Sequence, residues 1–258
     1  MKVVAYKRKE ERNVRYKVTI QTSKREIPKD KNRIILSLIK HQLSQSDTEL
    51  FDDWYRTGKA KEKDFCFALY MKDCIFHRET IEIPNREIII TFSVYDLVEG
   101  IRIYNSFIRG IGDDYSYRDE ITLTIKSVNL LNEKNIINDK VVFQCQSPCV
   151  AREHAHDNSK TWYHSLSDEK GKQQFLENLK LQASLKFPEK MEDIDKLQLK
   201  VLKNKKVKVK HYDIVIDGNL ALFELRGKPY LLEYFYKAGA GSLKSGGFGL
   251  LRKVDEVK

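Results

Sequence analysis

The sequence predicts an α+β protein made of two ferredoxin-like (RRM-like) domains in tandem, with a glycine-rich loop near its end. Each half of the chain shows a strand, a helix, two strands, a helix and a strand, judged from apolar periodicity. A polar segment at 132–139 (NEKNIIND) separates the two halves. We therefore expect an N-terminal domain at 1–131 and a C-terminal domain at 132–258.

The first half begins with an alternating strand at 14–21 (VRYKVTIQ). A helix is expected at 30–44, because Asp30 suits an N-cap and the apolar residues that follow fall on one helical face. A second short helix is expected to start at Asp47. The remaining predicted elements are strands at 65–71, 88–94 and 121–128 and a helix at 96–109.

The second half repeats this order without a visible repeat of residues. Asp217-Gly218 indicates a turn within or beside its third strand. The first helix of this half is expected to turn Phe175, Leu176, Leu179 and Leu181 inward. The predicted elements are strands at 141–146, 197–210, 212–225 and 248–254 and helices at 168–184 and 228–237.

The charge balance favours an anionic partner. The 258 residues include 47 Lys and Arg against 37 Asp and Glu, a formal net charge of +10. Neutralising nucleic-acid phosphates releases condensed counterions, so an excess of this size attracts such polymers. No apolar stretch approaches the ~20 residues that span a bilayer, so we expect no membrane partner. Without a recognisable signal segment, the cytoplasm is the expected location.

The four cysteines are expected to be reduced and to act as small apolar residues, as is usual in a cytoplasm. Zinc is the alternative interpretation for Cys145-x-x-x-Cys149 followed by His154 and His156. Their spacing is not that of a zinc finger. We expect neither a metal ion nor another cofactor.

The glycine-rich loop at 239–249 (GAGSLKSGGFG) is the most specific segment. Positions without side chains let backbone amides approach an anion closely, and hydroxyl and ammonium groups can face phosphate oxygens. A flexible hinge is the alternative. A dinucleotide loop is disfavoured, because this loop follows a helix and opens a strand. The candidate RNA-binding residues are Gly239, Gly241, Ser242, Lys244, Ser245, Gly247 and Gly249.

A second basic feature lies at 203–210 (KNKKVKVK). Alternation places Lys206, Lys208 and Lys210 on one face of a strand, where they can contact RNA phosphates. The alternative is that these lysines protect an edge strand from aggregation.

The loop at 239–249 resembles the signature of the CRISPR repeat-processing endoribonucleases, the sixth Cas family. It reads Gly-x-Gly-Ser-x-x-Ser-x-Gly-Phe-Gly. Weaker similarities occur in the same order along the chain. They are Ile27-Pro28, SLIK at 37–40, DFCFALYM at 64–71, FSVYD at 92–96 and Ser147-Pro148.

The resemblance implies cleavage of CRISPR repeat RNA (pre-crRNA) without metal. The ribose 2′-OH would attack the adjacent phosphate, leaving 2′,3′-cyclic phosphate and 5′-OH ends. It implies His41 as the acid or base in the first helix and Lys63 as the cation, with Lys59 and Lys61 as alternatives. It also leaves open other Cas proteins of an effector complex, or a second copy of the chain, as partners.

Tyr55 departs from the family pattern, since it falls where the family often has its catalytic histidine. Tyrosine is a poor base at neutral pH. Tyr55 therefore either assists His41 by orienting the ribose or phosphate, or marks a site that chiefly binds. Three hypotheses remain: a repeat endoribonuclease, a non-cleaving RNA-binding subunit of a CRISPR complex, and a ferredoxin-like module with a small-molecule or regulatory role.

Overall fold

The computed structural model of the protein describes residues 14–56, 62–155, 157 and 159–256. It confirms the predicted α+β class and the tandem ferredoxin-like architecture. None of the helices in these ranges is both long and apolar enough to cross a bilayer.

In its described ranges, the N-terminal half contains three helices and eight strands, of which three short strands form a separate small sheet. The elements are β1 (Val14–Thr22), β2 (Glu26–Pro28), α1 (Lys31–Ser46), α2 (Thr48–Tyr55), β3 (Phe65–Tyr70), β4 (Ile75–Phe76), β5 (Thr80–Glu82), β6 (Glu87–Val94), α3 (Leu97–Arg109), β7 (Asp114–Tyr117) and β8 (Ile121–Leu130).

The C-terminal half contains three helices and six strands among its described residues. The elements are β9 (Lys140–Cys145), β10 (Ala151–His154), β11 (Thr161–His164), α4 (Glu169–Lys186), α5 (Met191–Asp195), β12 (Gln198–His211), β13 (Ile214–Arg226), α6 (Pro229–Ala238) and β14 (Leu251–Glu256).

The two main sheets share one strand order, so the two halves repeat in structure although no repeat is visible in the sequence. The first sheet runs β3-β6-β1-β8-β7, and the second runs β12-β13-β9-β14. In both, the first strand of the βαββαβ unit lies between the third and the fourth, and all neighbours are antiparallel. Each half buries its own apolar cluster, although the predicted boundary at 131/132 stays a prediction.

Three details differ from the sequence-based expectations. The turn between β12 and β13 lies at Tyr212-Asp213, both with positive φ, whereas Asp217 and Gly218 are paired within β13. Leu181 is 59% exposed, because two positions beyond buried Leu179 is ~200° around a helix. The strands β10 and β11 pair in a segment where no strand was predicted.

The C-terminal half packs on the face of the first sheet that α1 and α3 leave open. Arg15 in β1 donates hydrogen bonds to the carbonyl oxygens of Leu251 (2.9 Å) and Tyr236 (2.8 Å), and its guanidinium lies 4.2 Å from the Tyr236 ring centre. Ser93 in β6 donates to the Lys237 carbonyl at 2.8 Å. This sheet face is therefore occupied by protein, so RNA cannot bind there as on an exposed RRM sheet.

The glycine-rich loop lies between the two halves, where added side chains would collide. A Cβ atom at Gly239 would be 2.7 Å from the Cys66 Cβ atom, and one at Gly247 would be 2.6 Å from the Phe67 ring. At Gly241 it would be 2.6 Å from the Phe175 ring and 2.8 Å from a carbonyl oxygen. All three glycines have positive φ, so both backbone conformation and space require glycine.

We expect Gly241→Ala to destabilise the protein more than Gly112→Ala. The two glycines have φ of +87° and +88°, but a Cβ atom at Gly112 meets nothing within 4 Å. Gly112→Ala should cost about 1–2 kcal/mol of unfolding free energy from strain. Gly241→Ala should cost a further ~1–3 kcal/mol from overpacking, measured by urea unfolding. Equal losses would show that the loop has room for a side chain.

Candidate functional site

One side of α1 is open to solvent and forms the centre of the site. Residues spaced at helical intervals keep this side polar, while the opposite side packs on the first sheet. We call this surface the α1 face. It consists of Arg33, Ser37, Lys40, His41 and Ser44.

His41 packs against the edge strand β7. Its ring stacks on Tyr115 with 4.6 Å between ring centres, and the Tyr115 hydroxyl lies 2.5 Å from the Ser37 hydroxyl oxygen. The imidazole is half-buried, so it is held in place yet remains accessible from solvent. This placement suits a group that exchanges protons with a bound RNA.

Tyr55 and Lys63, in contrast, are brought together beside β3. The Lys63 ammonium lies 4.3 Å from the Tyr55 ring centre, and the Lys40 ammonium lies 4.8 Å from the same ring. Burial raises the pKa of the Tyr55 hydroxyl well above its usual range. This hydroxyl is buried and has no hydrogen-bond partner among the described residues. Tyr55 therefore presents an aromatic face to two cations and is neutral at physiological pH.

The three residues expected to form the catalytic group thus divide into two places. Strands β7 and β3 lie at opposite edges of the first sheet, four strand spacings or roughly 19 Å apart. His41 faces the β7 edge, and Tyr55 and Lys63 lie at the β3 edge. Their catalytic roles stay predictions. Lys59 and Lys61 lie outside the described residues.

Lys40 is a site residue that the sequence reasoning missed. It is exposed, follows the spacing of the α1 face and lies between His41 and Tyr55. The helical spacing could have predicted this position, because residues at i, i+4, i+7 and i+8 share one side of a helix. Tyr115, from a strand absent from the predicted elements, carried no comparable signal.

The amides of the glycine-rich loop are not free to cradle a phosphate as the sequence suggested. Gly239, Gly241, Gly247 and Gly249 are buried, so this part of the expectation is corrected. Loop N–H groups donate instead within the protein. The pairs are Ala240 to Gly249, Gly241 to Gln182, Ser242 to Val150, Gly247 to Lys244 and Gly249 to Pro148.

Lys244 is likewise turned inward. It is 5% exposed, and its ammonium lies 3.0 Å from a Glu62 carboxylate oxygen and 3.3 Å from one of Asp64. Burial opposes the charge of Asp64, but Lys244 and Lys186 outweigh it and lower the pKa of that carboxyl. The Lys244 charge is therefore neutralised by these carboxylates inside the protein. Ser242 and Ser245 are half-exposed, and their role in RNA binding stays a prediction.

The basic strand β12 is present, but its lysines are not equivalent. Lys206 pairs with Asp217 at 2.8 Å, and Lys210 pairs with Glu79 at 2.8 Å. Lys208 lies between them, exposed and without an ion-pair partner among the described residues. It is the lysine of this stripe most available to a phosphate.

The zinc alternative finds no support in the described ranges. Cys145 and Cys149 are buried with 3.1 Å between their sulfur atoms. His154 lies beside Thr161 at 3.0 Å and His164 beside Glu153 at 2.6 Å, while His156 lies outside the described residues. No group of three His, Cys, Asp or Glu side chains in the described part of the chain could hold a metal ion.

The fold and the site define a tandem ferredoxin-like protein with a cationic and aromatic helix face. Solved structures with the same fold include a Cas6-related gene product from Pyrococcus furiosus (TM-score 0.79, 18% identity, covering 95% of this chain and 100% of that chain). Another is described as a RAMP protein binding different RNA substrates (0.77, 19%, 93% and 99%). A third is a Cas6 product complex (0.68, 13%, 94% and 100%).

Residues 131–253 match the family model of the CRISPR associated protein Cas6, C-terminal. The resemblance expected from the sequence is therefore confirmed for this region, and the shared fold extends over nearly the whole chain. No curated protein matches the chain in sequence.

We expect Lys40→Ala to raise the pKa of Lys63. Burial first and the Lys40 charge second lower the pKa of the Lys63 ammonium. Removing Lys40 should move this pKa toward the usual lysine value without reaching it, because burial remains. The pKa can be measured by NMR after ¹³C-methylation of lysines, with Lys205→Ala as the control. An unchanged pKa in Lys40→Ala would show that the two ammonium groups do not share the Tyr55 ring in solution.

Proposed function

We propose that the protein binds CRISPR repeat RNA on the α1 face and cuts it without a metal ion. The observation that carries this proposal is the α1 face itself, on which Arg33 and Lys40 lie over aromatic rings and His41 stacks on Tyr115. Cations attract the phosphates, and the imidazole can move a proton near neutral pH. The Cas6 domain at 131–253 and the fold shared with a Cas6 product complex support repeat RNA as the substrate.

The proposed reaction is a transesterification within the RNA. The 2′-oxygen loses its proton and bonds to the adjacent phosphorus, and the bond from phosphorus to the 5′-oxygen breaks as that oxygen gains a proton. The products are a 2′,3′-cyclic phosphate and a 5′-hydroxyl. His41 exchanges one of these protons, while Lys40 stabilises the negative charge that builds on the phosphate.

The second candidate is a protein that binds repeat RNA without cutting it. The separation of His41 from Tyr55 and Lys63 favours this alternative, because catalytic groups must reach one phosphate together. The fold shared with a RAMP protein described as binding different RNA substrates is compatible with it.

Incubating labelled CRISPR repeat RNA of the source organism with the protein in EDTA separates the two candidates. We expect one cut with a cyclic phosphate end. His41→Ala should slow single-turnover cleavage about 10²–10⁴-fold, because it removes a proton-transfer group. His77→Ala, on an exposed turn, is the matched control. Tight binding without cleavage would instead establish the second candidate, and wild-type cleavage by His41→Ala would refute the role of His41.

We also expect Lys208→Ala to weaken repeat RNA binding and to reduce the slope of log affinity against log salt by about 1. Lys205, three positions away and on the opposite face of β12, supplies the control variant Lys205→Ala. The measurement is a salt titration of binding by fluorescence anisotropy. If Lys208→Ala keeps the wild-type slope, β12 is an edge strand protected by lysines.

A further inference from the structure

A pocket of about 290 Å³ lies on the side of the glycine-rich loop that faces α4. We call it the α4 pocket. Its size is at the lower end of small-molecule sites, ~300–1,000 Å³, and suits one nucleotide. The walls come from both halves of the chain. They include Lys63, Arg152, Leu181, Leu185, Ser242 and Leu243.

Two leucines of α4 are left exposed at this pocket. Leu181 is 59% exposed and Leu185 is 65% exposed, four residues apart on one side of the helix. Leu243 faces the same space and has a φ of +63°, an uncommon conformation for a residue with a branched side chain. Apolar side chains grouped at the mouth of a polar pocket are typical of a ligand site.

The pocket wall is rigidly held. The Asn178 side chain accepts a hydrogen bond from the Arg152 amide (2.8 Å) and donates one to the Arg152 carbonyl (2.9 Å). One turn further along α4, buried Gln182 donates to the Gly239 carbonyl (2.8 Å) and accepts from the Gly241 amide (3.3 Å). These bonds fix Arg152 and the loop relative to the two leucines, so the pocket is preformed.

The charges at the pocket suit an anion. The acidic wall residue Glu62 is paired with Lys244 at 3.0 Å. Arg152 is half-exposed and has no ion-pair partner among the described residues. Lys63 contacts the Tyr55 ring on one side and lines the pocket on the other. An RNA strand that lies along the α1 face can therefore pass Lys63 and continue into the pocket.

We propose that the α4 pocket holds one unstacked nucleotide of the bound RNA. Its base would pack on Leu181, Leu185 and Leu243, and its phosphate would lie near Arg152 and Lys63. Single-stranded RNA is commonly held in this way, with a base against an apolar or guanidinium surface and the backbone near cations. This inference rests on the proposed binding of repeat RNA and adds a contact away from the cleavage site.

The first test uses the double variant Leu181→Ser, Leu185→Ser with a set of repeat RNAs, each lacking the base at one position. We expect the variant to bind intact RNA about tenfold more weakly, and wild type to lose about the same affinity at one position. When the double variant is combined with the RNA that lacks this base, the two losses of affinity should not add. Leu130→Ser, also 59% exposed but in β8, should bind as wild type does.

The second test uses the wild-type protein with leucine methyl groups labelled for NMR. Adenosine monophosphate should shift the Leu181 and Leu185 signals, whereas ribose 5-phosphate, which lacks a base, should not. If repeat RNA binds but the losses add at every position, or if both small molecules act alike, the pocket holds no base and only this inference fails. Affinity of the double variant equal to wild type would have the same meaning and would favour a protein contact at these leucines. Absence of any RNA binding would refute the proposed function as well.

Discussion

The architecture depends on the close approach of the glycine-rich loop to both halves of the chain. The loop touches Cys66 and Phe67 of the first half and Phe175 of the second, at distances that leave no room for a Cβ atom. Its amides donate to the protein itself. The loop therefore acts mainly as a rigid connection between the domains. In the proposed function, its contribution to RNA binding comes from the half-exposed residues at its surface and from the surfaces that it holds in place.

Burial also decides which positive charges are available to RNA. Arg15 and Lys244 are neutralised inside the interface by carboxylates and carbonyl oxygens, where an unpaired charge would be costly. Lys40, Arg152 and Lys208 keep exposed or half-exposed positions without acidic partners in the described part of the chain. The net charge of +10 thus overstates the basic surface, and these groups outline the proposed path of the strand.

The expected catalytic residues lie in two separate places, and this separation bears on whether the protein cuts RNA or only binds it. His41 stacks on Tyr115, while Tyr55 offers its ring to Lys40 and Lys63. A neutral, buried tyrosine hydroxyl is unsuited to proton transfer, and an aromatic face between two cations is suited to holding a phosphate backbone in position. Lys40 lies between these two groups, next to His41 in α1 and with its ammonium over the Tyr55 ring. Cleavage at this site would therefore use His41 and Lys40 directly, with Tyr55 as support.

The sequence by itself determined the α+β class, the order of the main strands and helices in the two βαββαβ units and the family resemblance, because periodicity and the glycine pattern are local properties. The resemblance also implied His41 in the first helix as the acid or base, which stays a prediction. Only the tertiary structure decided that the loop amides are used internally, that Lys244 pairs with Glu62 and that Leu181 borders a pocket. These outcomes depend on contacts between residues far apart in the chain. Local pattern carries no information about such packing, and burial then sets the chemistry of each group.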